Sequence, residues 1–234
     1  MDSLYIVMPA YNEEANIENV VRSWYTVLDG KDEKSRIVVA DSGSKDNTHE
    51  ILVNLQRELP QLELLQTTNQ YHGPKLITLY DYAIKNGADY VFQTDSDGQT
   101  NPAEFGDMWE IRNKYEGVFG NRTARGDGKG RAFVERVVCG LLKMYFGVNV
   151  PDANAPFRLL HCSTLKKYLY KLPNDYELPN IMITTYFAYY HEKMIFLEIS
   201  FKPREKGVNS INIKKIIGIG WKALGDFNRF KGRM

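Results

Sequence analysis

The chain has 234 residues, of which 43% are apolar, so it can bury the core of one large domain or of two small ones. Its 30 basic and 29 acidic side chains give a net charge of +1, which argues against a nucleic-acid-binding protein with a strongly basic face. The two cysteines, Cys139 and Cys162, fit no metal-binding spacing and are typical of reduced, buried thiols in a cytosolic protein.

The hydropathy of the sequence predicts no membrane-embedded segment. The first residues carry no basic region and no long apolar run, so we expect no signal peptide. No window approaches the roughly 20 consecutive apolar residues that a membrane-spanning helix needs. We therefore expect a cytoplasmic protein.

Strands and helices alternate in the first hundred residues. Short apolar runs predict strands at 4–8, 36–40, 62–66 and 89–94, with Pro9 ending the first. Helical spacing predicts a helix capped by Asn12, and others at 48–58 and 74–86. Such repeated units form right-handed crossovers, so we expect an α/β fold with a Rossmann-like, mostly parallel sheet and helices on both faces.

The second half has a different pattern, without repeats or a clear linker, so we expect one domain over 1–234 with halves at 1–100 and 101–234. Asn101 caps a helix that begins with Pro102 and runs to about residue 115. The remaining predicted elements are strands at 117–121, 157–161 and 194–201, a Gly- and Arg-rich loop at 121–131, and helices at 132–146, 163–170, 179–192 and 211–230.

Two carboxylates follow the fourth predicted strand. Asp95 and Asp97 are one residue apart, so their side chains point the same way if the strand continues. Paired carboxylates suit Mg²⁺ or Mn²⁺, which in turn binds phosphate oxygens. The sequence Ser96-Asp97-Gly98 is equally typical of a turn.

Acidic residues also follow the first and second predicted strands. Tyr11 and Glu13 beside a helix start suit a flat heterocycle and its polar edge, and Asp41 suits a base or ribose. Each segment alone is also compatible with an ordinary helix cap or turn. Because carboxyl ends of parallel strands meet at one edge of a sheet, three such ends predict one shared crevice.

These segments together resemble the ordered signatures of family 2 glycosyltransferases with the GT-A fold. The second half resembles the dolichyl/polyprenyl-phosphate hexosyltransferase branch. The matching segments are Pro9-Ala10-Tyr11-Asn12-Glu13, 41–48, Asp95-Ser96-Asp97-Gly98-Gln99, Gly120-Asn121-Arg122, Asp152 through Phe157-Arg158, and Phe201-Lys202-Pro203-Arg204 followed by Gly207 and Ser210.

The resemblance implies a role for each matching residue. Residues 1–100 would bind the nucleotide sugar and residues 101–234 the acceptor. Asp95 and Asp97 would hold Mg²⁺ or Mn²⁺ on the diphosphate, and Gln99 would lie beside the sugar or the acceptor. Arg204 would reach the diphosphate or the acceptor phosphate. The implied nucleotide-sugar contacts are Pro9, Tyr11, Glu13, Asp41, Asp95, Ser96 and Asp97, and the implied acceptor-phosphate contacts are Arg122 and Arg131.

The need for a general base depends on the acceptor. A phosphate is already ionised near neutral pH, whereas a sugar hydroxyl must lose its proton to a carboxylate. Asp152 is the leading candidate for that base, with Asp175 and Glu177 behind it, and a turn residue after Pro151 is the alternative. The four histidines do not cluster, which argues against a His-based site.

Two further features have competing interpretations. Lys75, after Gly73-Pro74, either approaches a phosphate or is an exposed lysine at a helix start. The predicted helix 211–230 is apolar on one face and basic on the other, so it lies in a membrane interface or packs on the core.

We therefore expect a metal-dependent, inverting transferase that moves a hexose from a UDP- or GDP-sugar to a polyprenyl phosphate at the cytoplasmic face of a membrane. One alternative is a transferase that extends a surface glycan or lipid-linked saccharide, with Asp152 as the base. Another is a non-catalytic nucleotide-binding domain. The sequence does not indicate an oligomeric state.

Overall fold

A seven-stranded sheet organises the computed structural model, which describes residues 1–67, 71–126, 128–204 and 225–232. Its strands are β1 Leu4–Ala10, β2 Arg36–Asp41, β3 Leu62–Leu65, β4 Tyr90–Thr94, β5 Gly117–Arg125, β6 Phe157–His161 and β7 Met194–Phe201. The helices are α1 Ile17–Tyr25, α2 Thr48–Glu58, α3 His72–Lys85, α4 Phe105–Ile111, α5 Lys129–Phe146, α6 Cys162–Leu169 and α7 Pro179–Tyr189. Single turns of 3₁₀-helix extend α1 and flank α4.

The strand order is β3-β2-β1-β4-β6-β5-β7. The four strands of the first half are mutually parallel, as their helical crossovers require. Strand β6 enters antiparallel between β4 and β5, and β7 returns parallel to β5. The predicted mostly parallel α/β sheet is therefore confirmed, with β6 as its one reversed strand among the described residues.

Helices cover both faces of the sheet, as predicted. Along β1, Leu4, Ile6 and Met8 pack in one hydrophobic cluster with α1, α2 and α4. The intervening Tyr5 and Val7 pack in a second cluster with α3, α5, α6 and α7. Since successive side chains of a strand point to opposite faces, a strand buried on both sides reads as a continuous apolar run.

The start of the chain differs from the prediction at two residues. Pro9 does not end the first strand, because β1 continues to Ala10 and Pro9 lies opposite Ala40 of β2. Asn12 does not cap a helix, since α1 begins only at Ile17. Asn12 instead adopts a left-handed backbone with φ 54°, and its Oδ1 accepts a hydrogen bond from Lys45 N at 2.8 Å.

The predicted loop 121–131 is also shorter in the structure. Strand β5 continues to Arg125 because β7 pairs with it along that length, with an irregularity between Arg122 and Ala124. Helix α5 then begins at Lys129 rather than at 132. A Gly- and Arg-rich composition did not reveal this extension, since the pairing partner lies about 75 residues further along the chain.

The predicted helix 211–230 lies mostly outside the described residues. Its described end is helical over 225–231. Phe227 and Phe230 there are buried, the first against Phe146 and the second against Tyr176. This end therefore packs on the core. In the parts of the chain that are described, no helix combines the length and apolarity needed to cross a bilayer.

Candidate active site

Three loops meet at the carboxyl edge of the sheet. They follow β1, β2 and β4, which are neighbours in the sheet and run in the same direction. The three strand ends therefore share one edge of the sheet, as the sequence predicts, and we call the space between these loops the crevice. Loop residues there are held by a rigid sheet, which is the usual location of sites in open α/β folds.

The loops after β1 and β2 are hydrogen-bonded to each other. Glu13 N donates to Thr48 Oγ1 at 2.8 Å, and Asn12 N donates to Ser44 Oγ at 2.9 Å. Glu14 adds a third link, since its carboxylate accepts from Asn47 N at 3.1 Å. These bonds explain why the chain leaves β1 as a loop rather than a helix, and they fix the wall of the crevice.

The paired acids lie in the loop after β4. Asp95 Oδ1 accepts from Gln93 Nε2 at 3.2 Å, and Asp97 Oδ1 accepts from Gln99 N at 3.1 Å. Burial raises the pKa of both carboxyls, and the neighbouring Asp97 raises the pKa of Asp95 further. Strand β4 ends at Thr94, so the two acids share this edge through the loop rather than through strand alternation.

Four arginines act electrostatically on the paired acids. The charges of Arg204 and Arg131 lower the pKa of Asp97, and those of Arg122 and Arg158 lower the pKa of Asp95. They come from the segment after β7, from α5, from β5 and from β6 respectively. Burial nevertheless outweighs these contributions at both acids, so the arrangement favours a cation placed directly against them.

The acids fit a divalent metal that is shared with a substrate. Among the described residues, no group of three or more His, Cys, Asp or Glu side chains could enclose a metal ion. Mg²⁺ is usually bound by one or two carboxylates, with its other positions filled by water and substrate phosphates. Asp95 and Asp97 match the carboxylate part of that pattern.

An aromatic ring and a buried lysine lie at the other end of the crevice. Tyr11 is 40% exposed, and Lys75 Nζ lies 5.4 Å from the centre of its ring. Lys75 is itself buried and donates to Ala10 O at 2.7 Å and Ser42 O at 3.1 Å. The interpretation of Lys75 as an exposed lysine is therefore wrong, because α3 begins at His72 and places it against the sheet.

Asp41 lies at the end of β2, beside the same pocket. Its Oδ1 accepts a hydrogen bond from the Ser44 hydroxyl, and its Oδ2 is 3.4 Å from His49 Nδ1. Burial lowers the pKa of Lys75, and the charge of the Asp41 carboxylate partly offsets that decrease. The two ends of the crevice thus differ, with Asp41, Lys75 and Tyr11 at one and the paired acids at the other.

Arg204 crosses the crevice. Its Nη2 donates to both oxygens of Glu13, at 2.7 and 2.6 Å, so the chain after β7 is joined to the loop after β1. Burial raises the pKa of Glu13, although Asn16 and Arg204 stabilise its ionised form. Glu13 and Arg204, which the sequence predicts to lie in one pocket, thus form a direct ion pair.

Ser96 and Gln99 are buried, and their side chains hydrogen-bond to the main chain of the neighbouring segments. Ser96 Oγ donates to Pro9 O at 2.8 Å, and Gln99 Nε2 donates to Lys202 O at 2.7 Å. Lys202 N donates back to Gln99 O at 2.9 Å. These contacts tie the acid-bearing loop to β1 on one side and to the end of β7 on the other.

Arg122 and Asp152 are paired rather than separate, unlike in the prediction. Arg122 Nε donates to Asp152 Oδ2 at 2.7 Å and its Nη2 to Oδ1 at 2.9 Å, with 6% and 3% of the two side chains exposed. Glu135 lies 3.5 Å from the same guanidinium. Both oxygens of Asp152 are therefore engaged, which disfavours it as a general base. Asp175, another candidate, is exposed.

Comparison with known proteins agrees with this geometry. A family model described as glycosyl transferase family 2 matches residues 5–171. The undecaprenyl-phosphate 4-deoxy-4-formamido-L-arabinose transferase of Edwardsiella ictaluri is 23% identical over 92% of this chain. The UDP-N-acetylglucosamine–dolichyl-phosphate N-acetylglucosaminyltransferase of Methanococcus voltae is 31% identical over 51% of it. The chain spans 64% and 51% of these two relatives, less than two thirds of each.

Solved structures share the fold. Glucosyl-3-phosphoglycerate synthase from Mycobacterium tuberculosis, in complex with Mn²⁺, UDP-glucose and phosphoglyceric acid, matches with a TM-score of 0.70 at 17% identity. The match covers 99% of this chain and 80% of the synthase. The predicted GT-A fold is confirmed. With the family model matching well over half of its residues, the chain belongs to glycosyl transferase family 2.

Proposed function

We propose that the protein transfers a hexose from a nucleotide sugar to a polyprenyl phosphate, with inversion at the anomeric carbon and with Mg²⁺ or Mn²⁺ as cofactor. The observation that carries the proposal is the pair of half-buried acids, Asp95 and Asp97, at the carboxyl edge of the sheet and within the electrostatic influence of four arginines. Such a pair suits a metal-bound diphosphate that is about to leave a sugar.

Residues 1–100 form the donor half in this proposal. Tyr11 offers an exposed ring to the base, and Asp41 lies beside it as an acceptor for base or ribose. Similar structures that bind UDP or UDP-glucose with Mn²⁺ support a nucleotide-sugar donor. Both UDP- and GDP-sugars remain candidates, because neither the ring of Tyr11 nor the carboxylate of Asp41 selects between the two bases.

The chain acts on the reaction mainly through charge. Arg204 sits over the crevice, paired with Glu13, and its guanidinium neutralises negative charge as the diphosphate leaves. A divalent cation on Asp95 and Asp97 would add Lewis-acid stabilisation of the same leaving group. Gln99 and Ser96 hold the acid-bearing loop in place, as their hydrogen bonds to Lys202 and Pro9 indicate.

Residues 101–234 form the acceptor half. Arg131 is our first candidate for the acceptor phosphate, because its charge reaches Asp97 and it lies at the start of α5. Arg122 is the second candidate, and to bind the phosphate its guanidinium would have to release its ion pair with Asp152 or Glu135. An ionised phosphate needs no strong base to attack carbon, in agreement with the paired state of Asp152.

Helix α5 also presents an apolar stripe that suits a lipid. Phe133, Val137 and Met144 recur at helical spacing and are 63%, 45% and 66% exposed. Arg136 and Lys143 are exposed on the same helix. An amphipathic helix with basic flanks can lie in the interface of a membrane that contains anionic lipids. We therefore propose peripheral binding at the cytoplasmic membrane face, with α5 next to the acceptor phosphate.

The names of relatives favour this acceptor over a free glycan. Undecaprenyl phosphate and dolichyl phosphate appear in the names of the proteins from Edwardsiella ictaluri and Methanococcus voltae. Extension of a surface glycan is the second candidate, and it would require a base other than the carboxylate held by Arg122.

An acceptor panel tests the proposal. The full chain is incubated with Mn²⁺ and radiolabelled UDP- and GDP-hexoses, with vesicles containing a polyprenyl phosphate and, separately, with free saccharides. Label in the lipid fraction that depends on Mn²⁺ would support the proposal. Label only on free saccharides would favour the glycan alternative. Nucleotide binding without transfer to any acceptor would favour a non-catalytic domain.

A further inference from the structure

A chain of three buried polar side chains leads to Asp95 from behind the site. Tyr80 Oη donates to Asn180 Oδ1 at 3.0 Å, and Asn180 Nδ2 donates to Gln93 Oε1 at 3.0 Å. Gln93 Nε2 then donates to Asp95 Oδ1 at 3.2 Å. Tyr80, Asn180 and Gln93 come from α3, α7 and β4, and we call these three residues the buried relay.

The carboxylate of Asp95, at the end of the buried relay, sets the direction of every hydrogen bond in it. When Asp95 is ionised, as it must be to bind a cation, its carboxylate only accepts, so Gln93 turns its NH₂ group toward Asp95 and its carbonyl oxygen away. Asn180 must then present its own NH₂ group to Gln93 and its oxygen to Tyr80. Burial raises the pKa of the Tyr80 phenol, so this hydroxyl stays protonated and can donate.

The middle of the relay is clamped by a buried arginine. Arg158 lies opposite Gln93 in the β4–β6 register, and its Nη1 donates to Asn180 O at 3.0 Å. Thr184 Oγ1 donates to the same carbonyl at 2.9 Å. The main chain of Asn180 is therefore held by two donors, and this fixes the position from which its side-chain amide reaches Gln93.

The buried relay consists of polar side chains at positions where apolar ones would be enough for the fold. Gln93 and Tyr80 are fully buried and Asn180 nearly so, and their hydrogen bonds offset the free energy that burying amides and a phenol costs. Neighbouring core positions on β4 and α7 are largely apolar. A relay that ends at a candidate metal ligand instead matches the general pattern in which outer partners orient the ligands of a metal.

We infer that Gln93, held by Asn180 and Tyr80, is a positioning residue that fixes the rotamer of Asp95 for the divalent cation. Its amide donates to Oδ1 of the carboxylate and not to Oδ2. Oδ2 is thus the oxygen left for the metal. This inference rests on the proposed function, because it takes Asp95 as a metal ligand.

Metal affinity measured directly tests the inference. Binding of Mn²⁺ to the full chain, with UDP or GDP present, is followed by calorimetry and by the electron paramagnetic resonance signal of free Mn²⁺. Gln93→Met keeps the length of the side chain but cannot donate to Asp95, so we expect Mn²⁺ affinity to fall by about 10- to 100-fold. Tyr80→Phe removes only the outer donor, and we expect a smaller loss of about two- to fivefold.

The control is a buried polar deletion on the same helix. Thr185 is buried on α7, and its hydroxyl donates to Ile181 O, within its own helix. Thr185→Val should lower the thermal midpoint of the metal-free protein without changing Mn²⁺ affinity. The inference is overturned if Gln93→Met and Tyr80→Phe bind Mn²⁺ like the wild type. It is also overturned if Thr185→Val loses as much affinity for the same loss of stability.

The same experiment separates this inference from the proposed function. If the wild-type protein binds no Mn²⁺ with either nucleotide, the proposed metal site fails and the role of the relay fails with it. If the wild type binds Mn²⁺ and the relay variants bind it equally well, only the inference about Gln93 fails.

Discussion

Arg122 and Asp152 form a two-point ion pair in the interior, through Nε to Oδ2 and Nη2 to Oδ1. The guanidinium also lies over the ring of Phe201, 5.2 Å from its centre. The pair joins β5 to the segment before β6 and reaches the end of β7. It therefore holds together the three parts of the acceptor half that border the crevice.

Breaking this pair from one side should destabilise the protein. Arg122→Ala leaves the Asp152 carboxylate buried without its main partner, and such losses typically amount to about 3–5 kcal/mol. Urea unfolding followed by circular dichroism measures the loss. Arg136→Ala, an exposed arginine on the following helix, serves as the control and should stay within about 0.5 kcal/mol. A stable Arg122→Ala variant that has lost only acceptor affinity would restore the phosphate role to Arg122.

Both cysteines should be unreactive in the folded protein. Burial raises the pKa of Cys139 and of Cys162 to about 12, with Glu135 and Asp89 respectively adding to the effect. At pH 8 the thiolate fraction is then on the order of a thousandfold below that of an ordinary thiol. Ellman's reagent should titrate two thiols in urea and react very slowly under native conditions. Fast native labelling of either cysteine would contradict this packing.

Gly126 is required by close contact between two segments of the site. A Cβ at this position would lie 2.3 Å from Pro203 N and 2.5 Å from Lys202 C, both main-chain atoms. Gly126→Ala should therefore separate the turn after β5 from the segment that carries Arg204, at a cost of about 1–3 kcal/mol. Donor affinity should fall as well, since Arg204 is displaced from the crevice.

A second glycine on the same half provides the comparison. Gly140 lies inside α5, and nothing lies within 4 Å of a Cβ added there. Gly140→Ala should stabilise the helix by up to about 1 kcal/mol, because alanine has the higher helix propensity. Thermal unfolding of both variants measures the difference. Equal stability for Gly126→Ala and the wild type would show that the two segments are not in contact.

The sequence predicted those parts of the fold that depend on local patterns. Apolar runs bounded by turns located the strands 157–161 and 194–201 to the residue, and the helix 48–58 likewise. The acids after β1, β2 and β4 were predicted to share one edge because parallel topology dictates it. The structure confirms that strand arrangement.

The features that sequence reasoning missed all depend on contacts between distant segments. The sequence leaves Lys75 as either a phosphate contact or an exposed lysine, and its burial follows from carbonyls contributed by β1 and the loop after β2. Gln93 and Asn180 are 87 residues apart, and each alone reads as an ordinary polar residue in an element. One signal was available for Gln93, since a glutamine inside a strand buried on both faces needs buried partners.

Asp97→Asn should have opposite effects on stability and on metal binding. The substitution keeps the shape of the side chain but removes one of two neighbouring, half-buried charges, and partial burial already disfavours the ionised form of both acids. The metal-free variant should therefore unfold at a higher temperature than the wild type. Its Mn²⁺-dependent affinity for a nucleoside diphosphate should fall at least tenfold, about 1.4 kcal/mol, because the cation loses a ligand.

Asp107→Asn, at an exposed acid on α4, should change neither quantity. Calorimetry with Mn²⁺ and a nucleoside diphosphate measures the affinity, and thermal unfolding of the metal-free proteins measures the stability. Unchanged affinity in Asp97→Asn would remove this residue from the metal site.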